Sequence, residues 1–109
     1  MRRRSSKRAK ALQPTPEVKD KVWERDRGRC VWCTLHPEQR SGYGGSPDAH
    51  FIPRTKSGLG IEENILTLCV VHHYQYDRTA DRDQMRQEFA EYLKSKYPEW
   101  DETKLYYRR

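Results

Sequence analysis

The sequence predicts a small α+β domain held together by a metal, in which a short β-hairpin runs into a helix and further helices flank it. Three observations predict this. Two ligand pairs share one spacing, Cys30-Val31-Trp32-Cys33 and Cys69-Val70-Val71-His72, and a long segment separates them. Ile65 to Cys69 alternates like a strand, and a second short strand over about Ala49 to Pro53 precedes it across a Gly-containing loop. Met85, Phe89, Tyr92 and Leu93 fall at i, i+4, i+7 and i+8, the apolar stripe of a helix that packs on a core.

The ligand pairs carry the strongest signal. Two residues between ligands let both side chains of a pair reach one ion, and two separated pairs complete a tetrahedral set. Cys30, Cys33, Cys69 and His72 form a Cys3His set of the closed, structural zinc type. Buried cysteines can also pack as small hydrophobes, but that reading leaves the matched spacing unexplained. His36, three residues after Cys33, is a rival fourth ligand, and its polar turn reads as ordinary loop. Three cysteines do not make a closed disulfide framework, and thiolates held on zinc suit a reducing cytoplasm.

A chain of 109 residues with 34% hydrophobic content has a modest core, so a metal staple supplies what apolar burial does not. One domain is expected over residues 14–109, with its core at about 21–80 and a C-terminal helix and aromatic segment over 81–109. The basic start lacks an apolar h-region and is not read as a secretory signal. The longest apolar stretch, Ile65 to Val71, is too short to span a membrane.

The net charge of +6 sits at one end. Residues 1–10 carry six of the 22 Lys and Arg and no acid, which leaves 16 basic against 16 acidic residues elsewhere. The expectation is a disordered basic tail over residues 1–13. Arg2, Arg3 and Arg4 in it are placed to neutralise phosphates and release counterions.

Along the chain, Thr15 and Pro16 read as the N-cap and first position of a helix that runs to about Arg27 and stops at Gly28. Val18, Val22 and Trp23 supply its buried face. Thr34 to Pro47, with three glycines and two prolines, reads as loop. A basic loop, Arg54 to Gly60, joins the two strands. A helix beginning near Val70 carries His72, His73 and Asp77, and another spans about Asp81 to Ser95. The segment with Pro98, Trp100, Leu105, Tyr106 and Tyr107 is expected to fold back on the domain.

Three further residues suggest chemistry beyond a zinc staple. His50 lies on the first strand just before the basic loop, and a neutral imidazole there can take a proton from water near pH 7. His73 and Asp77 are four apart and share a helix face, a metal-ligand spacing that also suits a plain surface pair. At about 100° per residue, His73 points away from the direction in which His72 faces zinc.

From Lys21 to about Asp77 the chain resembles the HNH endonucleases, the ββα-metal or His-Me finger group, in their small zinc-stapled phage and bacterial form. The stretches that carry the resemblance are Val22-Trp23-Glu24-Arg25-Asp26, Ala49-His50-Phe51-Ile52-Pro53-Arg54, Gly58 to Asn64, and Leu66-Thr67-Leu68-Cys69 with His72-His73. The resemblance implies a metal-dependent DNA endonuclease in a bacterial host cytoplasm. His50 is then the general base, Asn64 braces the hairpin, and His73 binds a catalytic Mg2+, Mn2+ or Ni2+ with Asp77 as a further ligand. Arg54 and Lys56 are candidates to hold backbone phosphates.

Two positions depart from the family pattern. Ala49 stands where Asp or His usually binds the ion. Asp48 is the nearest carboxylate, and strand alternation turns it away from the face of Ala49, which counts against a metal role. His72 stands where cysteine is usual, a mild change for zinc. Ala49 leaves room for an alternative, a zinc-stapled nucleic-acid-binding module without cleavage, and the balanced body charge permits a protein-interaction knuckle. Neither a dimer zipper nor a recognition helix is evident.

Overall fold

A computed structural model describes residues 6–108. The chain folds as an α+β domain in the order α1 (Lys7–Leu12), α2 (Pro16–Arg25), α3 (Val31–Leu35), β1 (Gly45–His50), β2 (Ile65–Cys69), α4 (Val70–Arg78) and α5 (Arg82–Lys96), with short 3-10 turns between. Among the described residues no helix is long and apolar enough to cross a membrane.

The N-terminal segment differs from the expected disorder. Ser6 caps α1 by accepting from the backbone N–H of Ala9 at 2.9 Å. A six-residue helix is too short to persist alone in water, so docking must hold it. Leu12 is buried, the N–H of Gly60 donates to the Ala11 carbonyl at 2.9 Å, and Arg8 donates to the Arg54 carbonyl and the Ser57 hydroxyl. Residues 1–5, including Arg2, Arg3 and Arg4, lie outside the described residues.

Helix α2 begins as expected. The Thr15 hydroxyl accepts from the Val18 N–H, and Pro16 needs no partner for its nitrogen. The helix ends at Arg25, slightly short of Arg27, because Arg27 and Gly28 both turn left-handed, at φ 58° and 66°. Val22 is buried, whereas Trp23 is 45% exposed and lies against the Gly28 backbone instead of in the core.

The adjacent pair Arg25 and Asp26 ties α2 to the rest of the fold. Asp26 is buried and accepts two bonds from the Arg25 guanidinium at 2.8 and 2.9 Å. It also accepts from the Thr67 N–H in β2 and the Tyr92 hydroxyl of α5. Arg25 spends its remaining donors on the carbonyls of Glu62 and Ile65 and on Tyr97. Tyr92 is therefore only half-buried in the α5 stripe, while Met85, Phe89 and Leu93 are fully buried.

The strands pair antiparallel, with Gly45 opposite Cys69, Ala49 opposite Leu66 and His50 opposite Ile65. The first strand lies earlier than the expected 49–53. Upstream, the register slips between Ser46 and Ala49, an irregularity that accommodates Pro47. Downstream, Phe51 and Ile52 leave the ladder because Asn64 takes over as their partner. Its carbonyl accepts from the Phe51 N–H at 2.7 Å and its side-chain oxygen from the Ile52 N–H at 2.8 Å. Its amide group donates to the Ile52 and Leu59 carbonyls.

Residues 34–47 are less irregular than a plain loop. They hold the end of α3, a 3-10 turn at Pro37–Gln39 and the start of β1. The C-terminal segment folds back as expected. Leu105 is buried, its carbonyl accepts from the Leu59 N–H, Tyr106 bridges Gly58, and Trp100 meets Phe51 edge-on at 5.5 Å. The loop between the strands is thus clamped by α1 on one side and by the C-terminal segment on the other.

Candidate metal centre and basic cleft

Cys30 stands at the N-cap of α3, Cys33 within its first turns, Cys69 at the end of β2 and His72 in the first turn of α4. The Nδ1 of His72 lies 3.7, 3.4 and 3.2 Å from the sulfurs of Cys30, Cys33 and Cys69, and the Cys33 and Cys69 sulfurs are 4.0 Å apart. A tetrahedron with Zn–S bonds of about 2.3 Å has edges of about 3.8 Å, so these spacings suit one ion. Among the described residues this is the one set of three or more His, Cys, Asp or Glu whose ligand atoms all lie within 4.8 Å of one another.

The donor chemistry fits a cation as well. Burial pushes the Cys30 thiol up to about 12, against the help of backbone N–H groups from the neighbouring turns. Burial also works against the Cys69 thiolate, but hydrogen bonds from the Ser41 hydroxyl and the His72 backbone outweigh it and hold that thiol below its ordinary value. Cys30, Cys33, Cys69 and His72 are therefore placed to hold a metal ion, compatible with structural zinc. His36 is engaged elsewhere. Its ring bonds Glu88 and Glu38, which raise its pKa, and stacks on Trp32 at 4.1 Å.

On the other side of the hairpin, His50, Asp48, Arg54, Lys56, His73 and Asp77 line one cleft of about 620 Å³, joined by Lys19, Arg78 and Arg82. Five basic side chains face two acidic ones there. As expected, His72 turns inward and His73 outward, so neighbours on one helix serve opposite sides. His73 Nε2 and an Asp77 oxygen are 3.3 Å apart, both partly exposed.

His50 is held from an element that sequence reasoning missed. Its Nε2 lies 2.8 Å from the Leu12 carbonyl at the end of α1. A carbonyl only accepts, so Nε2 carries the proton and the neutral ring keeps a free lone pair on Nδ1. Burial, with Arg54 and His73 adding to it, pulls the His50 pKa below its ordinary value, although the Leu12 carbonyl and Asp48 pull the other way. Burial thus favours the neutral ring. No sequence signal marks Leu12, because the contact uses a backbone atom.

Ala49 is fully buried against Leu66, on the core side of the strand. Asp48 is turned away from it, as alternation requires, but the cleft lies on the side of Asp48 and His50. Asp48 thus stands off the face of Ala49 as expected, and it lines the same cleft as His50. Arg54 and Lys56 are exposed at its rim, and Asn64 is buried beneath it.

No family model, curated protein or solved structure matches the chain.

Proposed function

We propose that this chain is a metal-dependent DNA endonuclease of the HNH, or ββα-metal, type, stapled by one structural zinc. The observation that carries the reading is the pairing of His50 with His73 and Asp77 in one basic cleft, with the His50 ring neutral and its Nδ1 uncommitted. A neutral imidazole with a free lone pair beside cationic side chains suits removal of a proton from water that attacks a phosphodiester.

In this reading Arg54 and Lys56 hold the substrate backbone through its phosphates. His50 Nδ1 takes the proton of the attacking water, which adds to phosphorus in line with the leaving 3′ oxygen. The products carry 5′-phosphate and 3′-hydroxyl ends. Asn64 keeps His50 in register by bonding both sides of the turn that follows it. His73 and Asp77, with Asp48 lining the same cleft, are the residues that would hold the catalytic ion. A divalent ion held there would offset the charge that develops on the phosphate and the leaving oxygen. Ala49 is buried and offers no ligand at the position where the resemblance implies one, so the ion would rest on the cleft residues alone.

A second reading, nucleic-acid binding without cleavage, draws on the absence of a closed second ligand set among the described residues. A plasmid-nicking assay with added Mg2+, Mn2+ or Ni2+, run beside a gel-shift on the same protein, tests both. Metal-dependent nicking supports the nuclease. A gel-shift without nicking in any metal selects the binding module, and neither signal removes both.

A further inference from the structure

The N-terminal helix is charged like a solvated arm but seated like part of the core. Three contacts from different residues hold it: Leu12 is buried, Arg8 reaches the Arg54 carbonyl and the Ser57 hydroxyl, and the Gly60 N–H donates to the Ala11 carbonyl. Gly60 is the seat. A Cβ at that position would stand 2.5 Å from the Gln13 carbonyl carbon and 2.5 Å from the Pro14 nitrogen, both backbone atoms that cannot swing aside. The Gly60 backbone is not in the left-handed region, so what excludes a side chain there is the arm itself. The chain that this seat receives ends, at Leu12, on the His50 ring.

We propose that α1 is a positioning element of the cleft: seated on Gly60 and anchored by Arg8, it presents the Leu12 carbonyl to His50 Nε2 and thereby fixes which ring nitrogen is free for proton transfer. Without that acceptor a neutral imidazole distributes its proton between both nitrogens and rotates about its side-chain bonds, so the population with a correctly aimed Nδ1 lone pair falls. The inference deepens the nuclease reading and rests on it for its catalytic meaning. Its structural content, the ring tautomer, is measurable without any cleavage.

The experiment uses the full chain loaded with zinc and compares wild type with Gly60→Ala, with Gly44→Ala as control, since a Cβ at Gly44 meets nothing within 4 Å. Nitrogen NMR of the imidazoles reads the His50 tautomer, and the nicking assay reads its consequence. Wild type and Gly44→Ala should show His50 protonated at Nε2 alone. Gly60→Ala should show mixed tautomers, with zinc content intact and nicking reduced about tenfold, less than the roughly 100-fold or more expected for losing a general base outright. Arg8→Ala, which removes an anchor without crowding the backbone, should move the tautomer in the same direction to a smaller extent. It decides the matter if Gly60→Ala does not fold. An unchanged His50 tautomer in the folded variants overturns the positioning role. A changed tautomer in a protein whose wild type does not nick supports the positioning and removes the nuclease reading alone.

Discussion

Among single residues, His72 and His73 offer a demanding comparison, because adjacent substitutions should fail in different ways. His72 is buried with its Nδ1 among three sulfurs, whereas His73 lies in the cleft beside Asp77. His72→Ala should lower zinc occupancy and the melting temperature together, losing activity only as a consequence. His73→Ala should spare both while raising the concentration of divalent ion needed for nicking. Metal analysis and melting curves of the two variants check this. In the proposed mechanism the pH dependence of nicking belongs to His50. Its pKa is held below the ordinary 6.5, and the base acts when deprotonated, so the rate should rise with pH and level off with a midpoint below 6.5. A midpoint above 6.5 would assign the limb to another group.

Between elements, packing hangs on one carboxylate as much as on the apolar stripe. Asp26 joins α2, β2 and α5 by accepting from Arg25, Thr67 and Tyr92. Replacing it leaves the Arg25 guanidinium, largely buried, without its charged partner, a change that typically costs about 3–5 kcal/mol. Part of that guanidinium keeps carbonyl acceptors, so Asp26→Ala should lose about 3 kcal/mol in urea unfolding of the zinc-loaded protein. A loss under about 1 kcal/mol would show that the carbonyls alone satisfy Arg25.

The elements also differ in how legible they are in the sequence. The ligand pairs, β2, the start of α2 and the α5 stripe follow from local spacing, caps and periodicity, and they stand as expected. The first strand departs from its expected limits because Asn64, a partner twelve residues away, captures Phe51 and Ile52. Helix α1 is illegible because six residues, though good helix formers, are too few to hold a helix alone. What orders it is Gly60 and the loop around it, a tertiary effect that its basic composition conceals. Asp48 is legible in part: alternation turns it off the face of Ala49 and, two residues before His50, puts it on the side where the cleft opens.

For the molecule as a whole, metal and charge divide the labour. Four ligands from α3, β2 and α4 converge where apolar burial is modest, so metal removal should unfold the protein cooperatively rather than loosen one turn. Purified protein should carry about one tightly held zinc per chain. Chelation that leaves the thermal transition unmoved would contradict the staple. In the proposed nuclease the basic start would add DNA affinity of its own. Neutralising Arg2, Arg3 and Arg4 together should weaken binding to all sequences alike. It should also flatten the salt dependence by about 0.9 in log–log slope for each phosphate that is no longer neutralised. Arg8 should contribute less, since its guanidinium is engaged by Arg54 and Ser57.

Whether the cleft cleaves DNA with His50 as its base is decided by nicking with wild type and His50→Ala at equal zinc content. With Mg2+, Mn2+ or Ni2+ present, wild type should convert supercoiled plasmid to nicked circle. His50→Ala should keep its zinc and its fold while nicking slower by a factor on the order of a hundred or more. A wild type that nicks, beside a folded, zinc-loaded His50→Ala that nicks just as fast, would rule out His50 as the base and the mechanism with it.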